Sequence, residues 1–466
     1  MAYEFDRRRA LSLLSAGAAA GLAGAPGLGL ARTAARHAAM PWLYSPDQLQ
    51  AELWLLRLIE DPAVKAIQAK LRAELAAGER VKLPDAATTL DHAIAQWSNS
   101  LIFGEMLHRP TRPVFLWSTD DTPREWLGHK LPGVGTSGDN PDAIYRTAGI
   151  EGGGRYEILG QYHLDSRPTQ LLFEADAGDL TKPQNVMPTA GGKHADIHSA
   201  SMLSDKVLKV EPNGSFRITV SPEATGASEA SAGPNHMQIP ASGYAVIGVR
   251  DILADWTQRP SKLTIRRLDP VRPEPLTYAT VRARVLADLE DYVRFWAHFP
   301  DIWFGGLKAN AHSEPMQRPG GWGFVAGLNF HLADDEAMLV TTTRGGAKYT
   351  GFQLNDPWMI APDARTQQVC LNNSQAVASG DGSTSYVISK TDPGVANWLD
   401  TCGMRDGFGI IRWQNIPDGL TKDGLIANMK VIRLAEVAAL GLPAISPQHR
   451  RERVAARFAA YSSRTR

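Results

Sequence analysis

A chain of 466 residues is too long for one ordinary domain, and its 43% hydrophobic content can build substantial cores, so two or three packed units are expected. Lysine plus arginine and aspartate plus glutamate both total 49, leaving no net charge. That balance argues against nucleic acid and against an anionic membrane surface, both of which select a basic face.

Arg7-Arg8-Arg9 precede Ala10-Leu11-Ser12-Leu13-Leu14 and a small-residue apolar run to Ala31. Arg8-Arg9-x-Leu fits a twin-arginine signal over residues 1–35, with an ordinary secretory signal as the alternative. Either leader implies a periplasmic or secreted protein, and the first implies the twin-arginine export machinery as a partner. Pro26 and the glycines make the run a poor permanent membrane span. An oxidising compartment would permit a disulfide between Cys370 and Cys402, and two separate buried thiols fit equally well.

Residues 45–105 read as a helical cap. Ser45-Pro46-Asp47 is an N-cap with proline at the first helical position, and Leu49, Leu53, Leu56 and Ile59 follow at helical spacing. Asp61-Pro62 opens a second helix, and a third spans about Ala86 to Phe103. Their amphipathic stripes predict packing on the rest of the protein. Pro113–Trp117 reads as a buried strand, and Leu131–Asp142 (LPGVGTSGDNPD) as a loop too long for a simple connector. Short strands follow at Ala143–Ala148, Arg155–Gln161, Gln170–Glu174, Phe216–Ser221, Tyr244–Arg250 and Lys262–Leu268. This rhythm predicts an antiparallel sandwich or barrel over residues 110–270.

Leu276–Phe299 is patterned as one helix linking that unit to a second β block over residues 301–440. Its strands are read at Phe324–Ala326, Ala337–Thr343, Tyr349–Leu354, Thr384–Ser389 and Gly407–Trp413. Ser446–Arg466 reads as a basic, solvated surface helix.

The second block repeats the first. Asn397 matches Asn235 and Arg412 matches Arg250, both at an offset of 162 (397 − 235 and 412 − 250). Asp381-Gly382-Ser383 matches Asn213-Gly214-Ser215 at 168 (382 − 214), which confines the length change to the run Thr225–Gly233. Phe352 matches Phe173 at 179 (352 − 173). The expected architecture is mainly β: two related antiparallel β-sandwich units, a helical N-terminal cap and a linking helix.

The strings Ser137-Gly138-Asp139-Asn140-Pro141-Asp142-Ala143-Ile144-Tyr145-Arg146, Gly154-Arg155-Tyr156-x-Ile158-x-Gly160 and Asp392-Pro393-Gly394-x-x-Asn397-Trp398-Leu399-Asp400 resemble a bacterial family. It is the one catalogued as domain of unknown function 1214, and the resemblance covers roughly Ser100 to Pro417. It implies a jelly-roll-like sandwich and brings no agreed reaction, so it transfers no catalytic residue.

Four groups could carry chemistry. Asp139, Asn140, Tyr145 and Arg146 gather acids, an amide, a phenol and a guanidinium on and after the long loop, with Arg146 suited to an anionic group. His194, Asp196 and His198 alternate, so on a strand they would share one face and could hold a divalent metal, with His163 or His236 as a further donor. Asn397, Trp398, Asp400 and Arg412 offer an ion pair and a flat wall for a ring or sugar, with Asn235 as the first-copy counterpart. Asp356 ends a strand where Glu174 and Asp176 stand in the first copy, and paired carboxylates can act as acid and base.

The predicted site is a cleft between the units, fed by the 131–142 and 392–400 loops, that takes a small ring-containing or lipophilic organic molecule. Asp139, Tyr145, Asp356 and Asp400 would serve hydrolase- or lyase-type chemistry with no obligatory cofactor. The alternatives are a non-catalytic ligand- or carbohydrate-binding protein and a structural partner in an envelope complex.

Overall fold

The computed structural model describes residues 41–183, 199–224, 235–318 and 321–465. Three helices form the cap: α1 (Pro46–Leu58), α2 (Pro62–Leu75) and α3 (Pro84–Met106). Ser45 Oγ accepts from Gln48 N at 3.0 Å and Asp61 Oδ1 from Ala63 N at 2.9 Å, so polar caps and first-turn prolines start the first two.

The first sandwich has a five-stranded sheet in the order β1 (Leu116–Thr119), β4 (Ala143–Glu151), β10 (Tyr244–Ile252), β6 (Gln170–Ala177), β7 (Ser199–Ser204). Its second sheet runs β11 (Lys262–Arg267), β5 (Tyr156–Gln161), β8 (Ser215–Ser221), β9 (His236–Gln238). A small hairpin, β2 (Arg124–Trp126) and β3 (His129–Leu131), stands apart. The linking helix α4 (Tyr278–Phe304) runs past Pro300 for one further turn, where Phe304 stacks on Phe408 at 4.4 Å.

The second sandwich repeats this order strand for strand. Its sheets are β12 (Met316–Gln317), β13 (Gly323–His331), β19 (Asp406–Gln414), β15 (Tyr349–Asn355), β16 (Cys370–Asn372), and β20 (Ile426–Arg433), β14 (Glu336–Thr343), β17 (Ser383–Ser389), β18 (Trp398–Asp400). Both contain one parallel pair among the described strands, β8 with β9 and β17 with β18. Each sandwich is closed by its own apolar core, around Phe173, Phe216 and Ile247 in the first and Phe352, Leu371 and Trp413 in the second.

The duplication reaches single hydrogen bonds. Asn235 accepts from Lys209 N (2.7 Å) and donates to Lys209 O (2.8 Å) and Arg217 O (3.0 Å). Asn397 accepts from Val377 N (2.8 Å) and donates to Val377 O (2.7 Å) and Ser385 O (3.1 Å). The partners are offset by 168 (377 − 209, 385 − 217) and the asparagines by 162, so the length change falls between them. Buried backbone groups with no ladder partner need such an amide. Asn235→Ala and Asn397→Ala are therefore expected to cost alike, about 2–3 kcal/mol each by urea denaturation. Costs differing by more than about 1 kcal/mol would contradict equal roles.

The C-terminal helix α5 (Pro447–Ser462) is a surface helix, as expected, with most of its residues exposed, but one of its faces is docked on the two units. Arg450, Arg457 and Arg464, seven residues apart, are all buried. Arg450 pairs with Asp392 at 2.9 Å and lies over Trp398, Arg457 lies 4.4 Å from the Trp256 ring, and Arg464 lies 3.8 Å from the Tyr461 ring. Arg464 also donates to Pro141 O at 2.7 Å, so the helix straps the second unit to the first. A basic run with three guanidiniums over aromatic rings is a packing element, a distinction charge count alone does not reveal.

Both cysteines are free. Cys370 is buried beside Arg457 (3.3 Å), and Cys402 contacts Gln367. No helix among the described residues is long and apolar enough to cross a membrane.

Candidate functional site

Strand alternation turns one face of each five-stranded sheet away from its own core. Leu171, Phe173 and Ala175 of β6 and Ala245, Ile247 and Val249 of β10 enter the first core. Gln170, Glu174, Asp176, Gly248 and Arg250 therefore face outward, with Tyr145 of β4. In the second unit Ile411, Trp413, Phe352 and Leu354 enter the core, so Ile410, Arg412 and Gln353 face outward. The two outward faces meet at a seam where Tyr349 packs with Ala143, Ile252 and Ala254, and Tyr145 lies at its margin.

The loop before β4 bolts this seam. Asp142 accepts from Trp256 Nε1 (2.6 Å), Asn372 Nδ2 (3.0 Å) and Tyr349 Oη (2.7 Å). Asn140 accepts from Asp142 N (3.1 Å) and donates to Tyr349 Oη (3.0 Å), and Gln353 donates to Asp139 O (2.7 Å). Trp97 and Asn99 of α3 donate to Thr136 O and Gly133 O at 2.7 and 2.8 Å.

Beside the seam the faces stay polar. Arg250 pairs with Glu174 on the neighbouring strand. The corresponding pair is Arg412 and Gln353, since the residues opposite Phe173 and Phe352 in the ladder are Val249 and Ile411, again offset by 162 (411 − 249). Arg412 donates to Gln353 Oε1 and to Gly138 O, both neutral. Trp322 stands between two guanidiniums, with Arg250 at 5.8 Å and Arg318 at 5.3 Å from its ring centre. Arg250 is also 5.8 Å from the Tyr145 ring. Burial, reinforced by the push of Arg318 and Arg412 and opposed by the pull of the Tyr145 hydroxyl, brings Arg250 down to about 10. Burial and then Arg412 also lower Arg318.

These heads are partly buried, and one glycine keeps space beside them. A Cβ on Gly248 would meet nothing nearer than Glu174 O at 4.0 Å. Its second-unit counterpart is Ile410 (410 − 248 = 162), which packs into the helical core with Phe408 and Val325. The helices thus cover one outward face, while at the matching position of the first unit Gly248 leaves space on the face that carries Arg250 and Tyr145.

Beside Tyr145 lies a carboxyl pair. A Cβ on Gly135 would sit 1.5 Å from Asp121 Oδ1 and 3.4 Å from Asp139 Oδ2, so both acids crowd that glycine. Asp139 Oδ2 accepts from Thr136 N at 2.8 Å and Asp121 Oδ2 from Ala361 N at 3.1 Å, while Asp121 Oδ1 and Asp120 Oδ2 are buried with no hydrogen-bond partner among the described residues. A cavity of about 10 Å³, close to the room one water needs, is lined by Asp120, Asp121, Asp139, Asn140 and Tyr145. Burial and then the charge of Asp139 hold the Asp121 carboxyl well above the usual carboxylate range, and burial raises Asp139. Burial raises the Tyr145 phenol too, and its oxygen accepts from Asn140 N at 3.0 Å. A larger groove, about 660 Å³ and lined by Asp47, Trp54, Arg109, Arg112, Glu274 and Leu276, lies on the helical cap and contains none of the residues singled out from sequence.

Of the residues predicted from sequence, Asp139, Asn140, Tyr145 and Arg412 come together. Arg146 does not join them, because adjacent strand residues point to opposite faces; it is buried against Asp251 and Ser261. Asp356 is sealed in a turn, accepting from Trp358 N and Ile360 N at 2.9 Å each, and burial pushes it to about 7. Its expected match with Glu174 and Asp176 shifts in register: those positions correspond to Gln353 and Asn355 (353 − 174 and 355 − 176, both 179).

Asn235 and Asn397 are occupied by backbone groups, as described above. Asp400 and Arg412 do not pair: Asp400 caps Cys402 N at 2.8 Å. Trp398 donates to Ser389 O at 3.0 Å and packs with Val387, Leu339 and Val437 on the outer side of the four-stranded sheet. The 392–400 loop therefore does not feed the seam.

His194, Asp196 and His198 lie outside the described residues. His163 sits 2.8 Å from Arg259, and His236 is bonded to Thr219 (3.0 Å) and Glu223 O (2.9 Å). Among the described residues no three His, Cys, Asp or Glu side chains are placed to hold a metal ion. Sequence reading missed Asp121, Gly248, Arg318 and Trp322. The available signal was Gln170, Glu174 and Asp176 alternating with core residues, which equally describes a solvent-facing strand.

No family model matches the chain, and no curated protein matches it. Among solved structures, an uncharacterised protein from Burkholderia cenocepacia superposes with a TM-score of 0.60 at 22% identity, covering 82% of this chain and 100% of that one. A Vibrio parahaemolyticus protein gives a TM-score of 0.39 at 8% identity, over 73% of this chain and 99% of that one. The first likeness shows the fold.

Proposed function

We propose that the protein binds a small organic molecule in a crevice between its two β units, and that it works outside the cytoplasm, as the arginine-led apolar leader suggests. The observation that carries the reading is the space over Gly248, on the face where partly buried Arg250 lies near Tyr145 and Trp322, at the position where the second unit is filled by Ile410. Small-molecule sites combine an apolar or aromatic wall with a few fixed polar groups, and often lie where two units meet.

A second reading adds acid–base conversion, hydrolytic or eliminative. The Asp121–Asp139 pair favours it, because burial raises both carboxyls and the charge of Asp139 raises Asp121 further, the arrangement that separates an acid from a base. The test is a thermal-shift and calorimetric screen of small organic molecules on the full chain and on Gly248→Leu. A hit on the full chain that disappears in Gly248→Leu, while that variant melts within about 2 °C of the parent, is expected. Equal binding by Gly248→Leu, or no hit at all, would remove the crevice reading. For conversion, Asp139→Asn is expected to retain binding and lose turnover; retained turnover would leave binding alone.

A further inference from the structure

We propose that the ligand of this crevice carries an oxyanion, a carboxylate or phosphate attached to a ring, with Arg412 and Arg318 holding the anion and Trp322 facing the ring. The inference rests on the small-molecule reading above and names its chemical class. It comes from comparing the two copies. In the first, the outward arginine is neutralised on the neighbouring strand by Glu174. In the second, the arginine is kept but the acid is replaced by Gln353, so among the described residues Arg412 donates to an amide oxygen and a backbone carbonyl.

Arg318 adds a second head. Its Nε is buried without a hydrogen-bond partner among the described residues, and its guanidinium lies 5.3 Å from the Trp322 ring. Arg412 pushes on Arg318 and Asp176 offsets that push only in part, so a bound oxyanion would relieve the repulsion while accepting charge-assisted hydrogen bonds. The indole beside them suits a flat ring.

The experiment is isothermal titration of the full chain at fixed ionic strength with sodium benzoate, inorganic phosphate and neutral benzamide. Benzoate or phosphate is expected to bind, with benzoate alone pointing to a ring carboxylate and phosphate alone to a phosphoryl group; benzamide is expected not to bind. Gln353→Glu supplies Arg412 with the acid found in the first copy, and is expected to weaken the bound anion at least about tenfold, with some loss of melting temperature because a carboxylate cannot donate to Asp139 O as the amide does. Arg318→Gln is expected to weaken it also. Failure of both anions to bind overturns the inference, as does Gln353→Glu leaving affinity within about twofold. Benzamide binding as tightly as benzoate overturns it while leaving the small-molecule reading intact, and the Gly248→Leu screen decides that reading separately.

Discussion

Asp142→Ala is expected to lower the unfolding free energy by about 3–5 kcal/mol. The residue is 1% exposed, and its two oxygens accept from Trp256, Asn372 and Tyr349. Trp256 belongs to the first unit, whereas Tyr349 and Asn372 belong to the second. Alanine would remove a buried anion and leave the Trp256 and Asn372 donors short of an acceptor, with Tyr349 Oη left to Asn140 Oδ1 at 3.2 Å, and the cost of stranded donors exceeds the worth of the bonds themselves. Because the damage lies at the seam, the urea transition is also expected to broaden or split as the units lose their coupling. A loss below about 1 kcal/mol, the range of surface changes, would mean the seam is held elsewhere.

Ending the chain after Ile445, which removes α5, is expected to cost roughly 5 kcal/mol or more, enough to populate unfolded protein at 37 °C. The truncation uncovers Trp256 and Trp398 and leaves Asp392 without Arg450. A point variant separates packing from chain length. Arg457 donates to Gln375 Oε1 and Ala364 O at 3.0 Å each and covers the Trp256 ring. Arg457→Lys keeps the charge but loses the planar stack and one of these bonds, and is expected to cost about 1–2 kcal/mol. If α5 were a solvated helix, both changes would fall within about 0.5 kcal/mol, and urea denaturation distinguishes the outcomes directly.

The duplicated plan was legible because it lies in local patterns. Alternating apolar residues, Asx-Gly turns and the spacing of Asn235 and Asn397 survive as one-dimensional signals, and the strand orders and hydrogen bonds of both copies match them. The site was legible only in part. Asp139, Asn140, Tyr145 and Arg412 were picked out as polar residues near loops or strand ends, and they do converge. Trp398, Asp400, Asn235 and Asn397 looked equivalent in sequence, yet structure gives them to the outer sheet and to backbone repair. The distinction depends on which face of a sheet meets another sheet, and periodicity cannot tell a face turned to water from one turned to a neighbour.

By itself the sequence determined that the chain is mainly β, that its two β units are related, where many of the strands fall and roughly where the capping and linking helices lie, because propensity, alternation and turn chemistry act over a few residues. Only the tertiary structure decided which outward faces meet, that one face of the basic C-terminal helix is docked through its arginines, and that Gly248 leaves open what Ile410 fills. Those outcomes depend on contacts between residues hundreds of positions apart, such as Arg464 with Pro141 and Tyr349 with Asp142. Their energies come from packing and desolvation across the seam, which no local stretch of chain encodes.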